Sequence, residues 1–254
     1  ASSYGPVRSM FVASGRIMQS RITKVGDYYR LYCAVLVRDK YAKHMNYVLF
    51  SDDFGGSWKI LGDINEPAVY NTADEPKVEE LPNGSILISS RYTGGRYYNM
   101  FTYSDMNMGT GVWDKVAFSG ASNGGVEAKD NSTNGEVMLI PVTRIADNRA
   151  MYILLQSVPL GPNRSNVGIY YKELNDEFED YLTPQMIASD WDGVKQVTTL
   201  NSAYSTMAWQ KDNRLGFLYE EETHCNTSGG GYTIVYKNYT IEQLTSDKYK
   251  YRKW

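Results

Sequence analysis

Leu81-Pro82-Asn83-Gly84-Ser85-Ile86-Leu87-Ile88 is a tight turn that feeds an apolar strand, and the same arrangement recurs along the chain. Its counterparts are Val25-Gly26-Asp27-Tyr28-Tyr29-Arg30-Leu31-Tyr32, Thr133-Asn134-Gly135-Glu136-Val137-Met138-Leu139-Ile140 and Lys211-Asp212-Asn213-Arg214-Leu215-Gly216-Phe217-Leu218. The central pairs (Asn-Gly twice, Gly-Asp and Asp-Asn) suit the positive φ that two-residue hairpins demand. Each copy is followed by a second strand of shared character: Asn46-Tyr47-Val48-Leu49-Phe50-Ser51, Asn99-Met100-Phe101-Thr102-Tyr103-Ser104, Val167-Gly168-Ile169-Tyr170-Tyr171-Lys172 and Tyr232-Thr233-Ile234-Val235-Tyr236-Lys237. Phe50, Tyr103, Tyr170 and Tyr236 fall at matching positions, 53, 67 and 66 residues apart. A small antiparallel sheet that recurs in phase, too small to bury its own faces, predicts an all-β propeller with about four blades in this chain. Two packed sandwiches would not require the same hairpin to recur. Helical patterning is nearly absent, residues 241–247 being the best short candidate.

Ser51-Asp52-Asp53-Phe54-Gly55-Gly56-Ser57-Trp58 has the form Ser-x-Asp-x-Gly-x-x-Trp, an Asp box. It reads as a hairpin turn in which the Asp53 carboxylate accepts from turn amides, Gly55 relieves backbone strain and Trp58 covers the turn. A looser copy runs from Ser104 and Asp105 to Trp113. The aspartates Asp52, Asp53 and Asp105 are therefore read as turn-stabilising rather than catalytic.

Composition narrows the function classes. The 254 residues carry a net charge of −3 with both signs interspersed, which argues against nucleic acid or an anionic membrane surface as partner. No stretch approaches the ~18 apolar residues of a membrane helix, so no membrane span is expected. The 22 tyrosines favour strands and also suit sugar-binding clefts. Cys33, in an apolar run, is read as a buried free thiol, and Cys33, Cys225, His44 and His224 offer no zinc spacing. Sequons at Asn131, Asn163, Asn226 and Asn238 carry little weight. There is no phosphate-cradling glycine loop, Gly229-Gly230-Gly231 standing in a turn-like context. Neither histidine has a serine or cysteine elbow to serve a hydrolytic triad. Abundant carboxylates leave glycoside hydrolysis open.

Four segments then carry a resemblance. Glu75-Pro76-Lys77-Val78-Glu79-Glu80-Leu81-Pro82-Asn83-Gly84-Ser85-Ile86-Leu87-Ile88-Ser89-Ser90-Arg91 is similar to the central segment of bacterial exo-α-sialidases (neuraminidases) of glycoside hydrolase family 33, with a Bacteroidetes-like cast. Gly161-Pro162-Asn163-Arg164-Ser165-Asn166-Val167 resembles the segment bearing that family's next arginine. Ser202-Ala203-Tyr204-Ser205-Thr206-Met207 resembles its nucleophile segment, and Leu218-Tyr219-Glu220 the site of a supporting glutamate. The four stand in the family's order over nearly the whole chain.

The resemblance implies a retaining exo-α-sialidase acting on sialylated glycans through a covalent tyrosyl intermediate, with no cofactor and no metal. In that reading Tyr204 is the nucleophile, Glu75 its base, Arg91 and Arg164 two of three clamps on the sugar carboxylate, and Glu220 orients an arginine. The chemistry is coherent. Arginine forks bind a carboxylate bidentately, and a neutral tyrosine avoids the repulsion that an acidic nucleophile would meet beside that carboxylate. Sialidases are a known tyrosine exception among glycosidases. The resemblance further implies a six-bladed propeller of which residues 1–254 are one partial catalytic domain. The family's Arg-Ile-Pro strand and loop acid/base aspartate have no match here. Arg16-Ile17-Met18-Gln19 lacks the proline and aligns better with a later Gly-x-x-Ile-Gln segment bordering the cleft. An N-terminal fragment of the same protein is the expected completing partner, and a periplasmic, cell-surface or secreted location is expected. A non-catalytic sialic-acid lectin is the competing reading, disfavoured because a binder has no need of the Tyr204–Glu75 pair. A structural propeller for protein partners gives the two arginines no anionic ligand.

Overall fold

The computed structural model describes residues 5–12, 16–71, 73–222 and 231–254. His224, Cys225, the Asn226 sequon, Gly229 and Gly230 lie outside the described residues. The chain divides into two compact units. The first comprises Ala1–Tyr92, Tyr97–Phe118 and Leu182–Ile187, and the second Thr93–Arg96, Ser119–Tyr181 and Ala188–Trp254. No described helix is long and apolar enough to cross a membrane.

The first unit is built on two antiparallel sheets. In one, β1 (Val7–Val12) and β2 (Met18–Val25) pair with successive stretches of β3 (Tyr28–Asp39). Next comes β4 (His44–Ser51), flanked by the short β5 (Lys59–Ile60) and β6 (Val69–Tyr70). In the other, β7 (Asp74–Glu80), β8 (Ile86–Tyr92), β9 (Gly95–Asp105) and β10 (Thr110–Trp113) lie in chain order, and β11 (Ala117–Gly120) also pairs with β9. Alternation along β3 divides its side chains between two cores. Tyr32 and Ala34 join Phe50, Val78, Ile86, Ile88 and Phe101 in the core shared by both sheets. Cys33, Val35 and Val37 face the other way with Met45 and Tyr47, in a cluster drawn from the first sheet alone. Cys33 is the buried free thiol that its apolar run predicts.

The expected hairpin turns open this unit as read, with Gly26 and Gly84 at positive φ. Asp53 accepts from the Ser51 hydroxyl, the Ser57 amide (2.8 Å) and the Ser57 hydroxyl, while Gly55 sits at φ 92° under the Trp58 ring. Asp105 accepts from the Met108 amide. Asp52 differs from its reading as a turn residue: its carboxylate grips the fully buried Arg30 guanidinium through Nε and Nη2. Arg30 also donates to the Met106 and Asn107 carbonyls and lies over the Phe50 ring, so it ties the two sheets together. Arg16 is taken up by the buried Glu79, which Arg21 also meets.

The second unit also holds two sheets. One runs β12 (Val137–Arg144), β13 (Arg149–Pro159), β14 (Val167–Leu174) and β15 (Gly193–Gln196), with the C-terminal β19 (Tyr249–Tyr251) added beside β12. The other is three-stranded, β16 (Ser202–Trp209), β17 (Leu215–Glu222) and β18 (Tyr232–Tyr239). Their inward residues, among them Ile140, Ile153, Ile169, Met207, Phe217 and Tyr219, form one core. Two short helices complete the described chain, α1 (Pro184–Ala188) and α2 (Ile241–Thr245). The second lies within the predicted 241–247 segment, where Thr240 and Gln243 cap each other reciprocally.

One repeat is read out of phase. Asn134-Gly135 does not turn between the first two strands of its sheet; it leads into the first strand, β12. The equivalent hairpin is the turn between Arg144 and Arg149, with Asn148 at φ 58°. Gly135 serves close approach instead: a Cβ there would stand 1.8 Å from the Ser157 carbonyl oxygen. Phe50, Tyr103, Tyr170 and Tyr236 do occupy the strand that follows the hairpin in each sheet, so the period itself holds. The Asn131 sequon is buried, its amide nitrogen donating to the Lys129 and Pro159 carbonyls, which leaves no acceptor for a glycan.

Candidate active site

Glu75 and Arg91 belong to the first unit. They lie on adjacent strands, β7 and β8, and Arg91 Nη1 donates to Glu75 Oε2 at 2.9 Å, with both side chains about a fifth exposed. The backbone explains why they meet. Asp74 pairs with Arg91 and Pro76 with Ser90, so Glu75 is an extra residue, a β-bulge. A bulge bends its strand and re-aims the inserted side chain. Asp74 Oδ1 accepts from the Glu75 amide at 2.9 Å, and Asp74 Oδ2 lies 3.7 Å from His44 Nδ1. Asn46, fully buried on β4, donates from Nδ2 to the Asp74 carbonyl and to Ser90 Oγ.

Tyr204, Arg164 and Glu220 belong to the second unit and come together there. Ser202 pairs with Glu221 and Ser205 with Tyr219, so Ala203 and Tyr204 together oppose Glu220: Tyr204 also sits in a bulge. Glu220 Oε2 accepts from the Tyr204 amide at 3.1 Å. The exposed Arg164 lies with its guanidinium carbon 5.9 Å from the Tyr204 ring centroid, within cation–π range. The loop bearing Arg164 is stitched to the strand that bears Tyr204. The Ser202 amide donates to the Arg164 carbonyl at 2.9 Å, the Val167 amide to Ser202 Oγ, and Ser165 bridges Asn201. Two residues beyond Tyr204, Thr206 Oγ1 donates to the buried Glu136 carboxylate, and Ser205 Oγ bonds Ser157 Oγ.

Glu220 was expected to orient an arginine. Among the described residues its carboxylate braces the Tyr204 bulge and pairs with no arginine. Asp74, His44 and Asn46 around Glu75, and Glu136 near Tyr204, enter unannounced. The one sequence signal for them was the acidic pair Asp74-Glu75 itself. Among the described residues no three His, Cys, Asp or Glu side chains gather to hold a metal ion.

No family model and no curated protein matches the chain. Solved structures do. The intramolecular trans-sialidase of Ruminococcus gnavus, in complex with oseltamivir carboxylate, superposes with a TM-score of 0.62 over 94% of this chain at 18% identity. The leech intramolecular trans-sialidase, complexed with 2,7-anhydro-Neu5Ac, gives 0.62 over 94% at 20% identity. Trypanosoma rangeli sialidase, solved as a covalent intermediate with 2,3-difluorosialic acid, gives 0.52 over 84% at 18% identity. The likeness defines the class: an all-β fold of the sialidase propeller type, whose four sheets are four blades. The chain spans 46% of the Ruminococcus chain, 33% of the leech chain and 29% of the Trypanosoma chain.

Proposed function

We propose that the chain is the larger part of the catalytic propeller of an exo-α-sialidase, a glycoside hydrolase that releases terminal α-linked sialic acid with retention. The observation that carries the reading is Tyr204: a partly buried tyrosine lifted on a bulge, with a carboxylate on its amide and an arginine over its ring. Among 22 tyrosines, packing needs no such arrangement. The Arg91–Glu75 pair supplies the second arginine and a solvent-accessible carboxylate.

In the reaction, Arg91 and Arg164 bind the carboxylate on the sugar's anomeric carbon. The Tyr204 oxygen attacks that carbon as the bond to the leaving-group oxygen breaks, and the phenolic proton passes to Glu75. The departing oxygen takes a proton from an aspartate outside residues 1–254. Water then attacks the sugar–tyrosine bond and gives its proton to that aspartate, while the phenolate regains its proton from Glu75. An N-terminal portion of the same protein supplies this aspartate and the third arginine. One feature supports such a partner: β18 is a mostly exposed edge, with Ile234 63% exposed. Sialylated glycans are met in periplasmic, cell-surface or secreted locations, and the reading places the protein there.

The test is covalent capture. Incubation with 2,3-difluorosialic acid is expected to add one sialosyl group by intact mass, mapped by peptide sequencing to Tyr204, and Tyr204→Phe is expected to take none. Sialoside binding by Tyr204→Phe with undiminished turnover would defeat the mechanism. Binding without turnover or adduct in the wild type would instead favour the lectin.

A further inference from the structure

The two candidate catalytic residues share a device. Each occupies a β-bulge, and in each the amide of the bulged residue is taken by a side-chain carboxylate: Tyr204 by Glu220, Glu75 by Asp74. A bulge removes its extra residue from the ladder and leaves an amide without a strand partner, and a partly buried amide needs an acceptor. From this parallel we propose that Asp74 is a positioning residue for Glu75, fixing the direction of that carboxylate; this rests on the reading of Glu75 as the base.

Three contacts hold Asp74 to the task. Its backbone is opposite Arg91 in the strand register, so the bulge is pinned directly across from the arginine that Glu75 meets. Its carbonyl accepts from Asn46, which is fully buried and also bonded to Ser90, so the start of β7 is anchored to both β4 and β8. Its second carboxylate oxygen faces His44 Nδ1 at 3.7 Å, which leaves Oδ1 turned toward the Glu75 amide. An aspartate that merely began a strand would need none of these. Asp74 acts through Glu75, and its loss lets the base wander from the proton it must take. Displacing a catalytic group by about 1 Å costs on the order of 10²-fold in rate.

The experiment compares Asp74→Ala and Asp74→Asn in the full native protein. Asn keeps an oxygen that accepts the Glu75 amide, and Ala does not. With sialyllactose, Asp74→Ala is expected to lower kcat by about 10²-fold with KM changed by less than about threefold, since the arginine clamps remain. Asp74→Asn is expected to recover kcat to within about fivefold of wild type. Hydrogen exchange read by NMR is independent of turnover: the Glu75 amide should exchange at least about tenfold faster in Asp74→Ala, and near the wild-type rate in Asp74→Asn. Unchanged kcat in Asp74→Ala, an equal loss in both variants, or unchanged Glu75 exchange would overturn the proposal. A wild type that releases no sialic acid defeats the reading of Glu75 as base, and the exchange comparison still decides whether Asp74 holds the bulge.

Discussion

At the scale of single residues, Arg91 shows what chemistry asks of a side chain here. Its Nη1 donates to Glu75 Oε2 at 2.9 Å. A planar fork makes two parallel charge-assisted bonds to a carboxylate; an ammonium group presents a point charge and no fork. Arg91→Lys is therefore expected to raise KM for sialosides about tenfold, roughly 1.4 kcal/mol, and to lower kcat far less. Steady-state kinetics check it, and equal losses in both parameters would place Arg91 in the chemical step instead. The choice of Glu75, Arg91, Arg164, Tyr204 and Glu220 rests on residue types at ordered intervals in the sequence. Their contacts were not legible there. The contact of Glu220 with the Tyr204 amide follows from a one-residue register shift, and Asp74 gains its place by the same kind of shift. No residue type marks a bulge.

At the scale of elements, the Ser51–Trp58 turn and the strand before it divide their work between two neighbouring aspartates. Hydrogen bonds from the Ser57 hydroxyl, then the Ser57 amide and the Ser51 hydroxyl, hold the Asp53 carboxyl down to about 2, against an unfolded value near 4. A depressed carboxyl lends stability that is fully present above the unfolded value and is lost as pH falls through the folded one. Asp53→Ala should thus lower Tm at pH 7, and the gap from wild type should narrow between about pH 4 and pH 2; a gap constant over that range would remove the carboxylate from the account. Asp52 works at depth. Removing it strands the buried Arg30 charge, and breaking such a pair costs about 3–5 kcal/mol. The Met106 and Asn107 carbonyls remain on Arg30, so Asp52→Ala should fall near 3. Arg30→Met in that background should recover more than half of the loss by denaturant unfolding, because a well-packed apolar side chain leaves no unpaired charge. The turn was legible because its glycine and aspartate answer to local backbone geometry. Arg30 was not, since its partners lie 22 to 77 residues away. The third repeat failed for a related reason: Asn-Gly signals positive φ, and Gly135 is required for a close approach to Ser157, which leaves the same letters.

At the scale of the whole molecule, periodicity decided the fold, because each sheet repeats the same hairpin, and the fourfold placement of Phe50, Tyr103, Tyr170 and Tyr236 on the strand after it records it. Catalysis makes a sharper demand on that architecture. Residues 1–254 are proposed to hold nucleophile, base and two clamps, with the leaving group's proton donor elsewhere. General acid catalysis contributes about 10²–10⁴-fold where the leaving group is a poor one, and little where it departs unaided. Residues 1–254 alone are therefore expected to cleave an aryl sialoside such as 4-methylumbelliferyl sialoside slowly. Sialyllactose, with its sugar alkoxide leaving group, should be turned over at least about 10²-fold less well than by the protein with its N-terminal portion supplied in cis or in trans. Intact mass fixes which species is assayed. A single 28.8 kDa species that releases sialic acid from both substrates at the rate of the completed protein would show that the acid lies within these residues. In that event the exposed β18 edge needs another explanation, and the proton donor is one of the carboxylates of this chain.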